Sequence, residues 1–204
     1  MANQPETSLY IHGSDPVEQA RLSRLNEWLN RSCLNAMSLT PDTLRLLDVG
    51  SGLGQFTRAM AEALPQEAFI LGVERDPQQL NKAIQLGNQY SAAQKVVFRQ
   101  GEATSLPLET SEWGNFDLAH TRFVLEHVRR PELIVRQMVA AVRPGGRIVL
   151  MDDDHANFRL SPEPPGFSVI WEAYLRSYER LGNDPFVGRR LVSLLKNEGL
   201  HDIQ

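Results

Sequence analysis

The 204-residue sequence contains a single cysteine, Cys33, so the chain has no second cysteine with which to form an internal disulfide. This scarcity fits a reducing compartment and predicts a cytoplasmic location. Cys33 falls on the apolar stripe of a predicted helix, and free cysteines in such positions are usually buried as small apolar groups. We therefore expect no redox chemistry from it.

Runs of basic residues and long apolar runs are also missing. The formal net charge is −4, and a phosphate backbone would gain little from such a surface, so nucleic acid is not an expected partner. No stretch approaches the roughly 18 apolar residues of a membrane span. The start, "MANQPETSLY", lacks the basic segment and apolar core of a signal peptide. The sequence predicts a soluble intracellular domain without a membrane span.

What the sequence does contain is a regular alternation of two hydrophobic periods. Helical spacing begins at Pro16 and continues to Met37, and it returns in the segments 53–64, 77–88, 131–142, 167–182 and 186–197. Short apolar runs that predict strands lie at 44–50, 68–74, 95–101, 116–121 and 147–153, with a turn at "RPGG" before the last of them.

This alternation predicts an α/β fold, in which a doubly wound and mostly parallel sheet carries helices on both faces. We expect a Rossmann-like arrangement over residues 44–204. Residues 1–43 form a separate N-terminal helical arm, which is expected to act as a lid.

The stretch "LLDVGSGLGQFT" places Gly50, Gly52 and Gly54 in the first strand-to-helix turn. A tight turn needs one glycine, and three alternating ones favour backbone lying directly against a ligand. A dinucleotide motif requires glycine at position 55, where this chain has Gln55. The carboxylate of Asp48 would repel a pyrophosphate and would suit an ammonium and a sulfonium. The turn therefore favours S-adenosylmethionine as the ligand.

Acidic residues follow the next two predicted strands. Glu74 stands 20 residues after Gly54, where an acid can accept hydrogen bonds from both ribose hydroxyls. Glu102 follows the third strand, where it can accept from the adenine amine. Each acid taken alone could be a solvated loop residue. Three acids at successive strand ends instead predict one binding crevice.

Five segments together carry a resemblance to a known family: "LLDVGSGLGQFT", "ILGVERDPQQL", "RQGEATSLPL", "FDLAHTRFVLEHV" and "VRPGGRIVLMDDD". The chain resembles the class I S-adenosylmethionine-dependent methyltransferases over about residues 44–154. It is most similar to their small-molecule branch, which includes the ubiquinone and menaquinone biosynthesis type. The resemblance implies methyl transfer to a small-molecule acceptor by in-line displacement, with S-adenosylhomocysteine as the product.

The residues and the resemblance together give a set of expected cofactor contacts in the domain. In the family, Arg75 would flank the adenine, and Thr121 would lie by the methionine part. The remaining contacts are expected from Asp48, Gly50, Ser51, Gly52, Glu74, Glu102 and Ala103. A weaker resemblance in "YIHGSDPVEQARL" implies that Tyr10 and Arg21 close over the cofactor and meet its carboxylate.

A base is needed only if the accepting atom carries a proton. We predict His155, at the carboxyl end of the fifth strand, or His127, after the fourth. His120 belongs to a strand and is more readily explained as a packed side chain. "DDDH" (152–155) does not predict a metal site, because successive strand residues point to opposite faces.

Two other functions are consistent with the pattern. One is a protein that binds S-adenosylmethionine without transfer activity, since no residue proves a catalytic base. The other is a nicotinamide-dependent oxidoreductase, which Gln55 and Asp48 disfavour.

The end of the chain, "LVSLLKNEGLHDIQ", predicts a helix, a stop at Gly199 and the first residues of a sixth strand. In the resembled fold a further antiparallel strand completes the sheet, and its residues are absent here. We therefore expect the natural protein to continue beyond Gln204, which would leave the domain 44–204 incomplete. Otherwise a partner chain, such as a second copy in a homodimer, must cover the apolar edge of the fifth strand.

Overall fold

The structure is a computed structural model that describes residues 16–88 and 95–204. The helices of the described residues are α1 (Pro16–Met37), α2 (Gln55–Ala63), α3 (Pro77–Gly87), α4 (Pro131–Ala141), α5 (Phe167–Leu181) and α6 (Leu191–Asn197). The strands are β1 (Arg45–Val49), β2 (Phe69–Glu74), β3 (Val96–Gln100), β4 (Phe116–Arg122) and β5 (Val142–Met151). Short 3-10 helices span Leu125–His127, His155–Asn157 and Val187–Arg190.

The five strands form one parallel sheet in the order β3-β2-β1-β4-β5. From β1 the chain first moves outward through β2 to β3, and then returns to the other side of β1 as β4. The strand order therefore reverses between β1 and β4, and ligands in open α/β sheets bind at such a point. This confirms the predicted Rossmann-like architecture.

Helices cover both faces of the sheet, because each buried strand presents apolar side chains alternately to the two sides. Leu46 of β1 belongs to a core cluster with Met37 and Met60, beneath α1 and α2. The adjacent Leu47 belongs to the second cluster, with Ile134 and Met138 of α4. The near-continuous apolar runs in the sequence reflect this burial on two faces.

Strand β5 begins earlier than predicted, and the "RPGG" turn lies within it. Phe116 pairs with Val142, but Leu118 pairs with Arg147, so the residues between form a bulge in the β5 ladder. Gly145 has a φ of +77°, a conformation that glycine adopts without steric cost. The turn residues therefore bend the strand locally without ending it.

The last helical segment starts as the 3-10 helix Val187–Arg190 and continues as α6, so the single helix expected over 186–197 is in two parts. Gly199 terminates it with a φ of +79°, as predicted. No strand forms among the described residues after β5, which differs from the expected sixth strand. Within residues 16–88 and 95–204, no helix combines the length and apolarity needed to cross a membrane.

Candidate active site

A cleft opens at the carboxyl ends of the strands, across the point where the strand order reverses. It is bordered by the β1–α2 turn, the ends of β2 and β4, the segment after β3, and one side of α1. The residues that line it are Leu25, Asn26, Asp48, Gly50, Ser51, Gly52, Leu53, Gln55, Phe56, Val73, Glu74, Arg75, Asp76, Gln79, Gly101, Glu102, Ala103, Thr104, His120, Arg122, Phe123, Val124, His127 and Val128.

All three glycines of the β1–α2 turn have left-handed backbone conformations, with φ of +77° at Gly50, +54° at Gly52 and +69° at Gly54. Backbone geometry therefore requires glycine at each position, and not at one alone as the sequence argument assumed. A Cβ atom on Gly50 or Gly54 would also lie 2.3 Å from Val124 or Phe98, respectively.

Gly52 differs from its two neighbours in the turn, because a Cβ there would meet only Oε1 of Gln79, at 3.5 Å. Gly52 lines the cleft, so the space beside its Cα belongs to the cleft and not to the packed interior. It is the glycine at which backbone can lie against a ligand.

The Asp48 carboxylate lies at the bottom of this turn and is almost fully buried. It accepts hydrogen bonds from Oγ1 of Thr57 at 2.5 Å and from Nδ1 of His120 at 2.8 Å. Because a carboxylate only accepts, Nδ1 of His120 is the protonated ring nitrogen. Asp48 thus contributes negative charge to the cleft while its oxygens hold two neighbouring side chains.

Glu74 is buried at the end of β2, where its carboxylate organises the cleft wall. Oε2 accepts from the backbone N–H of Gly52 at 2.9 Å, and Oε1 accepts from that of Asp76 at 2.9 Å. Burial raises the pKa of Glu74, and the two backbone N–H groups partly offset this. Two hydrogen bonds use half of the acceptor positions of a carboxylate, so Glu74 retains capacity for a ligand.

The remaining predicted contacts on this side of the cleft are Arg75, Glu102, Ala103 and Ser51, and all four belong to its lining. Glu102 is exposed and can reach solvent or a ligand. Oγ of Ser51 is buried and has no hydrogen-bond partner among the described residues. A buried hydroxyl without a partner is costly, and a ligand in the cleft would supply one.

The structure places Thr121 away from the cleft, in contrast to its predicted role. Its hydroxyl donates to the carbonyl of Val49 at 2.9 Å, and the side chain is fully buried. Adjacent residues of a strand point to opposite faces of the sheet. The side chain of His120 therefore lies on the face that meets the cleft, and that of Thr121 lies on the other face. His120, which the sequence suggested was merely packed, lines the cleft, and its Nε2 has no partner among the described residues.

Sequence reasoning also missed Arg122, which lies at the end of β4 and lines the cleft. Its Nη2 donates to Oδ1 of Asn26 at 2.7 Å and of Asn30 at 3.0 Å, both on α1. The guanidinium lies over the ring of Phe56, 4.0 Å from its centroid. The partners are separated by 66 or more positions along the chain, so no local pattern identifies the set.

Of the two histidines predicted as bases, His127 lines the cleft and His155 does not. Nε2 of His155 lies 2.7 Å from Oε2 of the buried Glu126, whose other oxygen lies 3.4 Å from Nε2 of His127. The hydroxyl of Tyr178 also bonds to Glu126, and its ring stacks on His127. Together these residues form a buried polar network behind one wall of the cleft.

Charges within this network shift the pKa values of His155 and Glu126 in opposite directions. Burial alone would lower the pKa of His155, but the hydrogen bond and charge of Glu126, with the charges of Asp153 and Asp152, raise it. Burial would raise the pKa of Glu126, but the hydrogen bond from His155 and the charges of both histidines lower it. The contact with Glu126 therefore favours the charged form of His155, which is a poor proton acceptor.

One group of side chains in the described part of the chain is close enough to hold a metal ion: Glu126, Asp153 and His155, with candidate ligand atoms within 4.8 Å of one another. This group could not be predicted from the sequence, because Glu126 lies in the 3-10 helix after β4 and His155 begins another 3-10 helix after β5. The distance of 2.7 Å between His155 and Glu126 is that of a hydrogen bond. We interpret the group as an ion pair.

Of the two residues predicted to close over the cofactor from the N-terminal arm, the structure describes one. Tyr10 lies outside the described residues. Arg21 is exposed on α1 and does not line the cleft, but its charge acts on the hydroxyl of Tyr174 on α5. The N-terminal half of α1 therefore lies within electrostatic range of the network around Glu126.

Asp152 gives this network a pH dependence. The residue keeps some exposed surface, but its carboxylate is surrounded by protein and accepts backbone N–H bonds from Val124 and Leu125. Burial, and then the charge of Glu126, raises the pKa of Asp152 to about 8. Folding thus stabilises the protonated form. This contribution is complete below the unfolded pKa of about 4 and is lost as the pH rises toward 8.

The free energy of unfolding is expected to fall between pH 5 and 6 in the wild-type protein, and we expect Asp152→Asn to reduce this pH dependence. One retained proton contributes up to about 1.4 kcal/mol per pH unit there, and asparagine cannot titrate. His155 is present in both proteins, and because an unfolded histidine titrates near 6.5, its contribution to the slope in this range is small. Urea unfolding of both proteins at pH 5, 5.5 and 6 measures the slopes. Equal slopes would show that Asp152 titrates normally.

The sequence of this chain is similar to those of known methyltransferases. The sequence profile of a family described as a methyltransferase domain matches residues 41–166. Tocopherol O-methyltransferase of Arabidopsis thaliana is 27% identical over 159 residues, which cover 78% of this chain and 44% of that protein. The 27-O-demethylrifamycin SV methyltransferase of Amycolatopsis mediterranei is 30% identical over 125 residues, 61% of this chain and 42% of that protein. The chain thus spans less than half the length of either relative.

A similar fold occurs in the solved structure of Haemonchus contortus phosphoethanolamine N-methyltransferase 2 in complex with phosphomonomethylethanolamine and S-adenosylhomocysteine. The TM-score is 0.66 and the identity 19%, with 86% of this chain and 37% of that one covered. At this identity the similarity concerns the fold.

Proposed function

Since the chain belongs to the methyltransferase-domain family, we propose that it binds S-adenosylmethionine in the cleft and transfers the methyl group to a small-molecule acceptor. The relatives named for tocopherol and for a rifamycin support an acceptor of this size. The structural neighbour that contains S-adenosylhomocysteine supports the choice of cofactor.

The observation that carries the proposal is the convergence of the glycine turn and two carboxylates on one cleft. Gly52 leaves open space there, Glu74 retains acceptor capacity, and Glu102 stands exposed beyond the end of β3. These groups fit a methionine portion, a ribose and an adenine amine in sequence along the cleft. Oγ of Ser51, buried without a partner among the described residues, fits the same ligand.

The bound cofactor would supply a methyl group on a good leaving group. The chain must then align the acceptor with that methyl group and exclude water, and this alignment provides much of the rate. Phe123, Val124 and Val128 give the cleft an apolar wall near His127. We propose His127 as the residue that accepts a proton from the acceptor, because it faces the cleft.

Two alternative functions differ from this proposal in what they bind or release. A binding protein without transfer activity would take up the cofactor and release no methylated product. An oxidoreductase would require a nicotinamide dinucleotide, and Gln55 occupies the position where its turn would need glycine. The cytoplasmic location and the homodimer remain predictions from the sequence.

A comparison of two ligands tests the choice of cofactor. S-adenosylhomocysteine at 100 times its dissociation constant should raise the melting temperature by about 5–10 °C, because a ligand that binds only the folded state adds about 2.7 kcal/mol. NAD at the same concentration should leave the melting temperature unchanged. Differential scanning fluorimetry of the 204-residue chain measures both. Stabilisation by NAD alone would favour the oxidoreductase.

A further inference from the structure

Helix α1 carries a stripe of arginines around a tryptophan on its exposed side. Side chains spaced three and four residues apart lie on one side of a helix. This arginine stripe consists of five exposed residues: Val17, Arg21, Arg24, Trp28 and Arg31. The other side of α1 packs on the sheet, because Cys33, Leu34 and Met37 belong to the core cluster beneath α1 and α2. The arginine stripe takes no part in that cluster.

Trp28, near the centre of the stripe, is 85% exposed, more than any other large apolar side chain in the described part of the chain. Val17 is exposed as well, one stripe position before Arg21. An indole combines a large apolar surface with one N–H donor, and tryptophan is enriched where lipid headgroups meet water. The exposed ring therefore suits a surface that is apolar on one side and wet on the other.

The charge of the stripe is positive and is not neutralised. Arg24 and Arg31 make no ion pair or hydrogen bond with another side chain in residues 16–88 and 95–204. Glu27 is the acidic residue between them, and it lines a hollow against α2 with Arg58 and Glu62. Its charge is thus directed away from Trp28, and the stripe remains available to an anionic partner.

Exposed arginines on the opposite face of the sheet differ from those of the stripe. On and before α4, Arg130 pairs with Glu132, and Arg136 pairs with Glu198. The chain as a whole has a net charge of −4, so the stripe is a local excess of positive charge on an acidic protein. Such an excess beside an exposed indole favours a partner that carries negative charge and accepts an apolar ring.

A bilayer with anionic lipids meets both requirements better than a nucleic acid does. The stripe runs along one straight helix for about 21 Å, at 1.5 Å per residue, and a convex line of this kind fits a plane. Single-stranded nucleic acid is usually held in a groove by several stacking rings, and the stripe contains one ring. The aliphatic Val17 adds apolar surface that offers no stacking.

We propose that the arginine stripe of α1 docks the protein on a bilayer that contains anionic lipids. The arginines would lie at the negatively charged headgroups, and Trp28 would enter the interface between headgroups and acyl chains. Leu25, which follows Arg24, lines the cleft, so the docked chain carries its cleft beside the lipid. This position suits an acceptor that is dissolved in the bilayer.

Cosedimentation with vesicles tests the docking surface. The probe is phosphatidylcholine with about 30% phosphatidylserine, and vesicles of phosphatidylcholine alone provide the comparison. Wild-type protein should bind the mixed vesicles and lose this binding in about 1 M salt. Each arginine near an anionic surface contributes about fivefold, so Arg24→Gln combined with Arg31→Gln should lower the partition coefficient by about 25-fold.

Two further variants separate the stripe from net charge. Arg130→Gln combined with Arg136→Gln removes the same charge from the opposite face of the sheet, and it should change the partition coefficient by less than about threefold. Trp28→Ser should lower it by about tenfold without a change in charge. It should also abolish the blue shift of tryptophan fluorescence that the mixed vesicles cause. Equal melting temperatures show that the variants are folded.

Several results would overturn the proposal. The wild-type chain does not bind the mixed vesicles, or both arginine pairs weaken binding equally. The stripe variants instead lose binding to a short DNA duplex that wild type binds in the absence of vesicles, which would identify a nucleic-acid surface. The stripe variants convert a dimer into a monomer in analytical ultracentrifugation, which would identify a second copy as the partner. The proposed function is tested separately, because binding of S-adenosylhomocysteine is measured without vesicles.

Discussion

Replacing Gly52 by valine is expected to weaken S-adenosylhomocysteine by about a hundredfold or more, equivalent to at least about 2.7 kcal/mol. A Cβ atom at Gly52 meets no packed neighbour and enters the space of the cleft, so the branched side chain would occupy the volume that we assign to the ligand. Gly52→Ala should have the same effect to a lesser degree. Calorimetry with each variant measures the change.

The left-handed backbone at Gly52 complicates this experiment, because any side chain there is strained. Gly114 provides the matched control: its φ is +66°, and a Cβ there meets nothing within 4 Å. Gly52→Ala and Gly114→Ala should each lower the free energy of unfolding by about 1–2 kcal/mol. Weaker binding should appear only at position 52. Normal binding by a folded Gly52→Val protein would show that the ligand lies elsewhere.

Glu74→Ala is expected to weaken S-adenosylhomocysteine by about 1.5–3 kcal/mol, or roughly 10- to 150-fold. The substitution removes the acceptor that we assign to the ribose hydroxyls. It also releases the backbone N–H of Gly52, which the carboxylate holds at 2.9 Å. Both effects act on the same ligand, so a loss near the upper limit is expected.

Glu67→Ala serves as the control, because Glu67 is exposed before the opposite end of β2 and its loss changes the net charge equally. It should leave the dissociation constant unchanged. Glu74 is buried, so urea unfolding should accompany each titration. An unchanged dissociation constant in a stable Glu74→Ala protein would exclude the ribose role.

Much of the sheet could be predicted because its signal is local. A strand buried on both faces needs a short continuous apolar run, and "RLLDV" and "FILGVE" show this directly. Pro77 and Asp76 mark the start of α3 by chemistry within the first turn, where the Asp76 side chain accepts from two backbone N–H groups. The bulge in β5 could not be predicted, because it depends on register with β4.

The residues of the cleft also differ in whether a local sequence signal identifies them. Eight of the predicted cofactor contacts line it because they lie at or just after the ends of strands, and parallel strands present their carboxyl ends at one edge. His120 and Arg122 were missed because their roles depend on which face each β4 residue presents and on contacts with α1. The role of Glu126 was missed for a similar reason, since its partner His155 is 29 positions away.

Methyl transfer itself provides the most direct test of the central claim. The chain is incubated with S-adenosylmethionine carrying a labelled methyl group and a metabolite extract, and the products are separated by mass. We expect label in one small-molecule product, released with an equal amount of S-adenosylhomocysteine and abolished in Gly52→Val. If S-adenosylmethionine binds and no labelled product forms, the chain binds the cofactor without transfer. If label appears only in macromolecules, the assignment of a small-molecule acceptor is wrong.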